Sequence, residues 1–243
     1  MRMFNFAKRN FKELIRDPLS LVFEILLPIF LLFIFQQFKI PSDNFKLESF
    51  TPGIVIFGFS FITLFTATLV SKDRTSSLLI RLGCSPMKPS DYIMGYILSI
   101  IPIILIQNIL FFITAILLGL TFSINIIYAI LVSLIISIFF IGIGIFLGSI
   151  LSEKGTGGVG SVVVQLVCFT SGMYFSSELV GKTFATICKY LPFESCLVII
   201  KGILNNNLSM ITTRNIVVFS VYTIAILIIA IITFKKKMIS DNK

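Results

Sequence analysis

Long apolar blocks separated by short polar segments form the main pattern of this 243-residue chain. Each block has about 17 to 28 residues, which is enough to cross a bilayer core roughly 30 Å thick. The blocks cover residues 19–38, 52–70, 91–119, 124–151, 158–175 and 215–234. The pattern predicts an all-α integral membrane fold with six transmembrane helices, in a single domain over 1–243.

Residues 1–18 combine apolar and basic positions on one helix. Apolar side chains recur at helical spacing, and Lys or Arg occupies much of the remainder. An amphipathic basic helix of this kind suits the interface between membrane and water, and Pro18 then turns the chain into the first span. We predict an interfacial helix here.

The segment 176–212 carries an apolar stripe that Pro192 interrupts. Neither half approaches the roughly 20 residues that a spanning helix needs. We predict two short interfacial or re-entrant helices between the fifth and sixth spans.

Lys and Arg are unevenly distributed between the segments that join the spans. With both termini inside, fourteen of the 20 Lys and Arg residues face the cytoplasm and six face outward. Cytoplasmic segments of membrane proteins carry this excess. The sequence therefore predicts a multi-pass protein of the cell membrane, with a bacterial plasma membrane expected. Both termini and segment 71–90 would be cytoplasmic, and segment 176–212 would be external.

The composition leaves little room for a soluble functional domain, because 56% of the residues are hydrophobic and 13% are charged. The net charge of +9 would suit nucleic acid only on a folded basic face, and no soluble domain is predicted to carry one. The chain has no histidine, which excludes Ser-His-Asp and Cys-His catalysis and argues against zinc. We expect no catalytic residue, metal site or cofactor in this chain.

Two stretches imitate phosphate-binding loops without the context that such loops require. Residues 155–160 read GTGGVG, but they follow a membrane span rather than a β-strand. Residues 176–183 read SSELVGKT, with serine in place of the first glycine, and are predicted to be external. We interpret 155–160 as a flexible turn and expect no nucleotide site.

Cys188 and Cys196 both fall in the predicted external segment and could form a disulfide. The alternative, free thiols packed as small apolar side chains, is favoured.

A few polar side chains and glycines lie inside the predicted spans. Glu24 either lines a translocation path or pairs with a basic side chain near the interface. Gln107 and Asn108 either line a path or join helices by hydrogen bonds. The glycines at 142, 144 and 148 are typical of close helix packing, within the chain or across a dimer.

The segment 71–90 joins a charged triplet to a short apolar stretch. The triplet is Lys72, Asp73 and Arg74, and residues 75–77 can start a helix. An apolar face follows at Leu78, Leu79, Ile80 and Leu82. The segment is either a docking element for another protein or a connecting turn.

Three stretches together resemble the permeases of type-2 ABC transporters. RNFKELIRDP at 9–18 is similar to the elbow helix of that family. KDRTSSLLIRLGCSPMKPSDYIMG at 72–95 resembles its coupling helix and the turn into the third span. SGMYF at 171–175 and LPFESCLVIIKGIL at 191–204 resemble its broken fifth span and external re-entrant helices. The family often has Glu-Arg-Glu and Gly-Thr-Leu where this chain has Lys72-Asp73-Arg74 and Thr75-Ser76-Ser77-Leu78.

The resemblance implies the permease domain of an ATP-driven exporter of drugs, antimicrobial peptides or other amphipathic compounds, as in antibiotic resistance. Two permease chains, identical or related, would pair with two separate ATP-binding subunits, which would hold the ATP and Mg. Coupling to ATP hydrolysis would use eight residues: Arg16, Asp17, Lys72, Asp73, Arg74, Leu78, Leu79 and Leu82. An ion-coupled secondary transporter and a membrane scaffold without an ATPase partner are the alternatives.

Overall fold

The computed structural model describes residues 2–38, 43–76, 88–175 and 179–240, with side chains described from residue 3 to residue 237 within those ranges. Helices and short turns account for these residues, and they contain no β-strand. The all-α fold is thereby confirmed. Leu78, Leu79, Ile80 and Leu82 lie outside the described residues.

Ten α-helices follow one another along the described part of the chain. Their bounds are α1 Arg2–Ile15, α2 Pro18–Leu21, α3 Leu27–Gln37, α4 Leu47–Thr75, α5 Pro89–Leu117, α6 Asn125–Ile150, α7 Glu153–Thr170, α8 Lys182–Tyr190, α9 Pro192–Leu204 and α10 Thr213–Ser240. A π-helical turn, Val22–Leu26, joins α2 to α3 into one continuous element.

Five helical segments in the described residues are long and apolar enough to cross a membrane. They are Pro18–Gln37, Leu47–Thr75, Pro89–Leu117, Asn125–Ile150 and Thr213–Lys237. The predicted fifth span, 158–175, corresponds to α7, which begins earlier and carries Glu153 and Lys154 in its first turn. A sixth span therefore stays a prediction.

Helix α4 forms the centre of the bundle, and no side chain from Phe50 to Val70 is exposed. Glycines on α6 allow this burial. A Cβ on Gly144 would lie 2.7 Å from the Thr63 carbonyl oxygen, and one on Gly148 would lie 2.5 Å from the Ala67 carbonyl oxygen. These glycines therefore bring the backbones of α4 and α6 together. This is packing within the chain, one of the two alternatives predicted for the glycines.

Two polar segments are more helical than the sequence suggested. Helix α4 continues to Thr75, so that the charged triplet 72–74 occupies its last turn rather than a connecting segment. The predicted flexible turn at 155–160 lies instead in the first turns of α7. Ser152 caps α7 by accepting a hydrogen bond from the Gly155 amide at 3.3 Å.

The segment after α7 folds into two short helices separated at Pro192, as the sequence predicted. Helix α9 is largely buried and packs against α4, α6 and α10. Cys188 and Cys196 are buried free thiols, as is Cys168. Burial raises the pKa of the Cys188 thiol above its ordinary value, which favours the protonated form.

Candidate functional site

A cluster of charged side chains joins α1 to the last turn of α4. The Arg9 guanidinium lies 2.6 Å from the Glu13 carboxylate and 2.5 Å from that of Asp73. The Lys72 ammonium lies 3.1 Å from the other Glu13 oxygen. Two residues of the predicted triplet are thus held by ion pairs to α1.

Asp73 is the buried member of this cluster, with a side chain that is 0% exposed. Its second carboxylate oxygen accepts a hydrogen bond from the Tyr96 hydroxyl of α5 at 2.9 Å. A buried charge is tolerated when it is paired and hydrogen-bonded, and here α1 and α5 supply the partners. Asp73 therefore ties α1, α4 and α5 to one point.

Aromatic packing fixes α1 beside this point. The Phe6 ring meets the rings of Tyr92 and Tyr96 edge-on, with centroid distances of 5.5 and 5.1 Å. Gly95 leaves the space for it, because a Cβ there would lie 2.6 Å from the Phe6 ring. The apolar face of α1 is thus used partly for packing against α5, whereas Phe4 and Ile15 stay exposed.

Arg74 reaches in the opposite direction, to the end of α6. Its guanidinium donates to the backbone carbonyls of Gly148, Ser149 and Leu151. These are among the last carbonyls of that helix, which lack partners within the helix and favour a positive charge. The last turn of α4 is therefore attached to α1 on one side and to α6 on the other.

Two predicted coupling residues near the end of α1 have different surroundings. Asp17 caps α2, accepting hydrogen bonds from the Ser20 amide at 3.3 Å and the Ser20 hydroxyl at 2.6 Å. Arg16 is exposed and lines a cleft between α1 and α4. Both lie where α1 turns into the first span.

The three polar residues predicted within the spans fall into two separate contacts. Glu24 lies in the π-helical turn and is 3% exposed. A π-helical turn displaces backbone hydrogen bonds, and the Gln107 side chain donates to the Glu24 carbonyl at 3.3 Å. Asn108 instead donates to the Ser133 hydroxyl of α6 at 2.7 Å. No ion pair to Glu24 exists among the described side chains.

We expect Gln107→Leu to lower the free energy of unfolding by about 1 to 2 kcal/mol, because the buried Glu24 carbonyl would lose its side-chain donor. Thermal unfolding in detergent, followed by circular dichroism, measures this. Gln165→Leu is the control, since Gln165 is exposed on α7. Equal stability of the wild type and Gln107→Leu would contradict a role for Gln107 in joining the helices.

Sequence reasoning missed Arg9, Glu13 and Tyr96, which complete the cluster around Asp73. The spacing of Arg9 and Glu13 at i and i+4 was a usable signal for one pair. The partners of Asp73 are 64 and 23 residues away along the chain, and no local pattern reports such contacts.

One family model matches this chain. The profile of the ABC-2 type transporter family matches residues 2–205, which include every helix from α1 to α9. No curated protein gives a significant match. The matched range contains the charged cluster and the buried bundle around α4. Because the match covers most of the chain, the protein belongs to the ABC-2 type transporter family as a membrane-embedded permease.

Proposed function

We infer that this chain is the permease subunit of an ATP-driven exporter and that a separate ATP-binding subunit hydrolyses the ATP. One observation carries the proposal most strongly. The chain leaves α4 for the predicted coupling segment at the same turn where Arg9, Glu13 and Tyr96 hold α4 to α1 and α5. A force applied to that segment would reach three helices at once.

The proposed coupling uses the charged triplet as a rigid connection. ATP-driven closure of the partner subunits would displace residues 77–87. Lys72 and Asp73 would carry the displacement to α1, and Arg74 would carry it to the end of α6. Coupling also requires that the partner bind two permease conformations with different affinities, since contact alone shifts no equilibrium.

The charge distribution supports placing this end of the bundle in the cytoplasm. The Tyr92 ring lies 6.0 Å from the Phe234 ring, so that the basic run at 235–237 is near the α1 end. Lys and Arg are concentrated in cytoplasmic segments of membrane proteins. Both termini would then lie on the cytoplasmic side of the membrane, where the ATP-binding subunits bind.

Drugs, antimicrobial peptides and other amphipathic compounds are the proposed substrates, passing between two permease chains. Burial of Glu24, Gln107 and Asn108 against helices of their own chain supports packing roles for these residues. A contribution of Glu24 or Gln107 to a path would require the first span to separate from α5.

The test is co-purification of the tagged chain with an ATP-binding subunit from detergent extracts, with ATPase activity measured in the eluate. We expect Leu78→Glu combined with Leu79→Glu to abolish co-purification, because two carboxylates would replace the apolar docking face. The matched control is Leu179→Glu with Leu208→Glu. These two leucines are 78% and 67% exposed, and both belong to the predicted external segment.

Retention of the ATP-binding subunit by both double variants would contradict the proposed docking segment. If the wild-type chain retained no ATP-binding subunit, the proposed function as an ATP-driven exporter would be wrong. In that case the ion-coupled transporter, the alternative that the sequence leaves open, would become the function to test.

A further inference from the structure

A cleft of about 750 Å³ opens between α1 and the end of α4. Five of its lining side chains are cationic and two are anionic. The lining residues are Asn5, Lys8, Arg9, Lys12, Glu13, Arg16, Asp17 and Lys72. The volume is in the range of sites for drug-sized ligands, which leaves room for a lipid head group, and the excess of cations favours an anion.

Three of these cations are available to a ligand. Arg9 and Lys72 are engaged with Glu13 and Asp73, which balance their charge. Lys8, Lys12 and Arg16 form no ion pair within the part of the chain that the structure describes. Lys8 and Lys12 are four residues apart on one side of α1, and Arg16 continues the row one residue beyond its end.

A smaller cleft of about 130 Å³ shares Glu13, Asp17 and Lys72 with the first one. It adds apolar side chains to the polar ones. Its remaining lining residues are Leu14, Ser20, Phe65, Thr68, Leu69 and Glu153. The charged cleft therefore adjoins a partly apolar one, which is the arrangement that an amphiphile with an anionic head requires.

We propose that the basic cleft binds the phosphate head group of an anionic phospholipid, with an acyl chain beside Leu14, Phe65 and Leu69. Lys and Arg bind phosphate oxygens through charge-assisted hydrogen bonds. Glu13 is neutralised by Arg9 and Lys72, and Asp17 is occupied as the cap of α2. The bound lipid would bridge α1 to Lys72 and hold the charged cluster together.

Inorganic phosphate has the same charged group as the lipid head but no acyl chain to contact the apolar side chains. The test therefore compares the lipid with inorganic phosphate. Full-length protein purified in a neutral detergent is examined by native mass spectrometry with phosphatidylglycerol, phosphatidylcholine or inorganic phosphate. We expect phosphatidylglycerol to bind best and to raise the temperature of unfolding. Each basic residue near an anionic lipid contributes roughly fivefold in affinity, so Lys8→Gln, Lys12→Gln and Arg16→Gln together should weaken binding on the order of 100-fold.

The matched control removes the same charge at the same end of the bundle, through Lys235→Gln, Lys236→Gln and Lys237→Gln. It should keep wild-type lipid affinity. Lys12→Gln alone should lose about fivefold and provides the test if the triple variant does not fold. Equal loss in the control, equal binding of phosphatidylcholine, or displacement of the lipid by millimolar inorganic phosphate would each overturn the proposal. The assay needs no ATP-binding subunit, so its outcome does not depend on whether the proposed export function is correct.

Discussion

Gly148→Val is expected to lower the free energy of unfolding by about 3 kcal/mol, the upper part of the usual range for overpacking a core. The added Cβ would lie 2.5 Å from the Ala67 carbonyl oxygen and 2.8 Å from the Val70 Cβ. Since one of these is a backbone atom of the buried α4, relief requires the two helices to separate. Chemical unfolding in detergent, followed by circular dichroism, measures the loss.

Gly157→Val is the matched control for this prediction. Nothing lies within 4 Å of a Cβ at Gly157. The substitution should therefore affect the free energy of unfolding only through helix propensity, which favours valine over glycine by about 0.5 kcal/mol. If both valine variants lost the same stability, the close approach of α6 to α4 would not be what the glycine permits.

Arg9→Met is expected to destabilise the attachment of α1 by about 2 kcal/mol. Removing one partner of a fully buried ion pair costs roughly 3 to 5 kcal/mol. The cost is smaller here because Arg9 is 39% exposed and Tyr96 still donates to Asp73. Unfolding measurements report the free energy, and faster tryptic cleavage near Arg16 reports release of α1.

A double-variant cycle separates the Arg9–Asp73 pair from other effects. Asp73→Asn added to Arg9→Met removes the uncompensated charge and should restore part of the lost stability. Lys154→Met is the control, because Lys154 is exposed and forms no ion pair within the described ranges. Additive effects of the two substitutions would contradict a direct pair.

Helix positions were largely predictable, because long apolar blocks and prolines are local signals. Pro18, Pro89 and Pro192 each lie in the first turn of a helix in the structure, where a missing amide donor costs least. The extension of α4 to Thr75 was not predictable from hydropathy. Asp73 is charged, yet it is buried through partners on α1 and α5.

The contacts within the candidate site were less predictable than the residues. Glu24, Gln107 and the charged triplet stood out as polar side chains beside or within apolar blocks. The π-helical turn at Val22–Leu26 was not predictable from the sequence. The hydrophobic pattern of five residues is too short to distinguish the period of a π-helix from that of an α-helix. The contact of Gln107 with the Glu24 carbonyl depends on that turn and on the packing of α5 against it.

The central proposal is that this permease works only in an assembly with ATP-binding subunits. Native mass spectrometry of the tagged chain, extracted gently from its own membrane, tests this most directly. We expect two permease chains, identical or related, together with two copies of a nucleotide-binding subunit that hydrolyses ATP. Recovery of the chain alone, or only with copies of itself, and without ATPase activity would contradict this assembly.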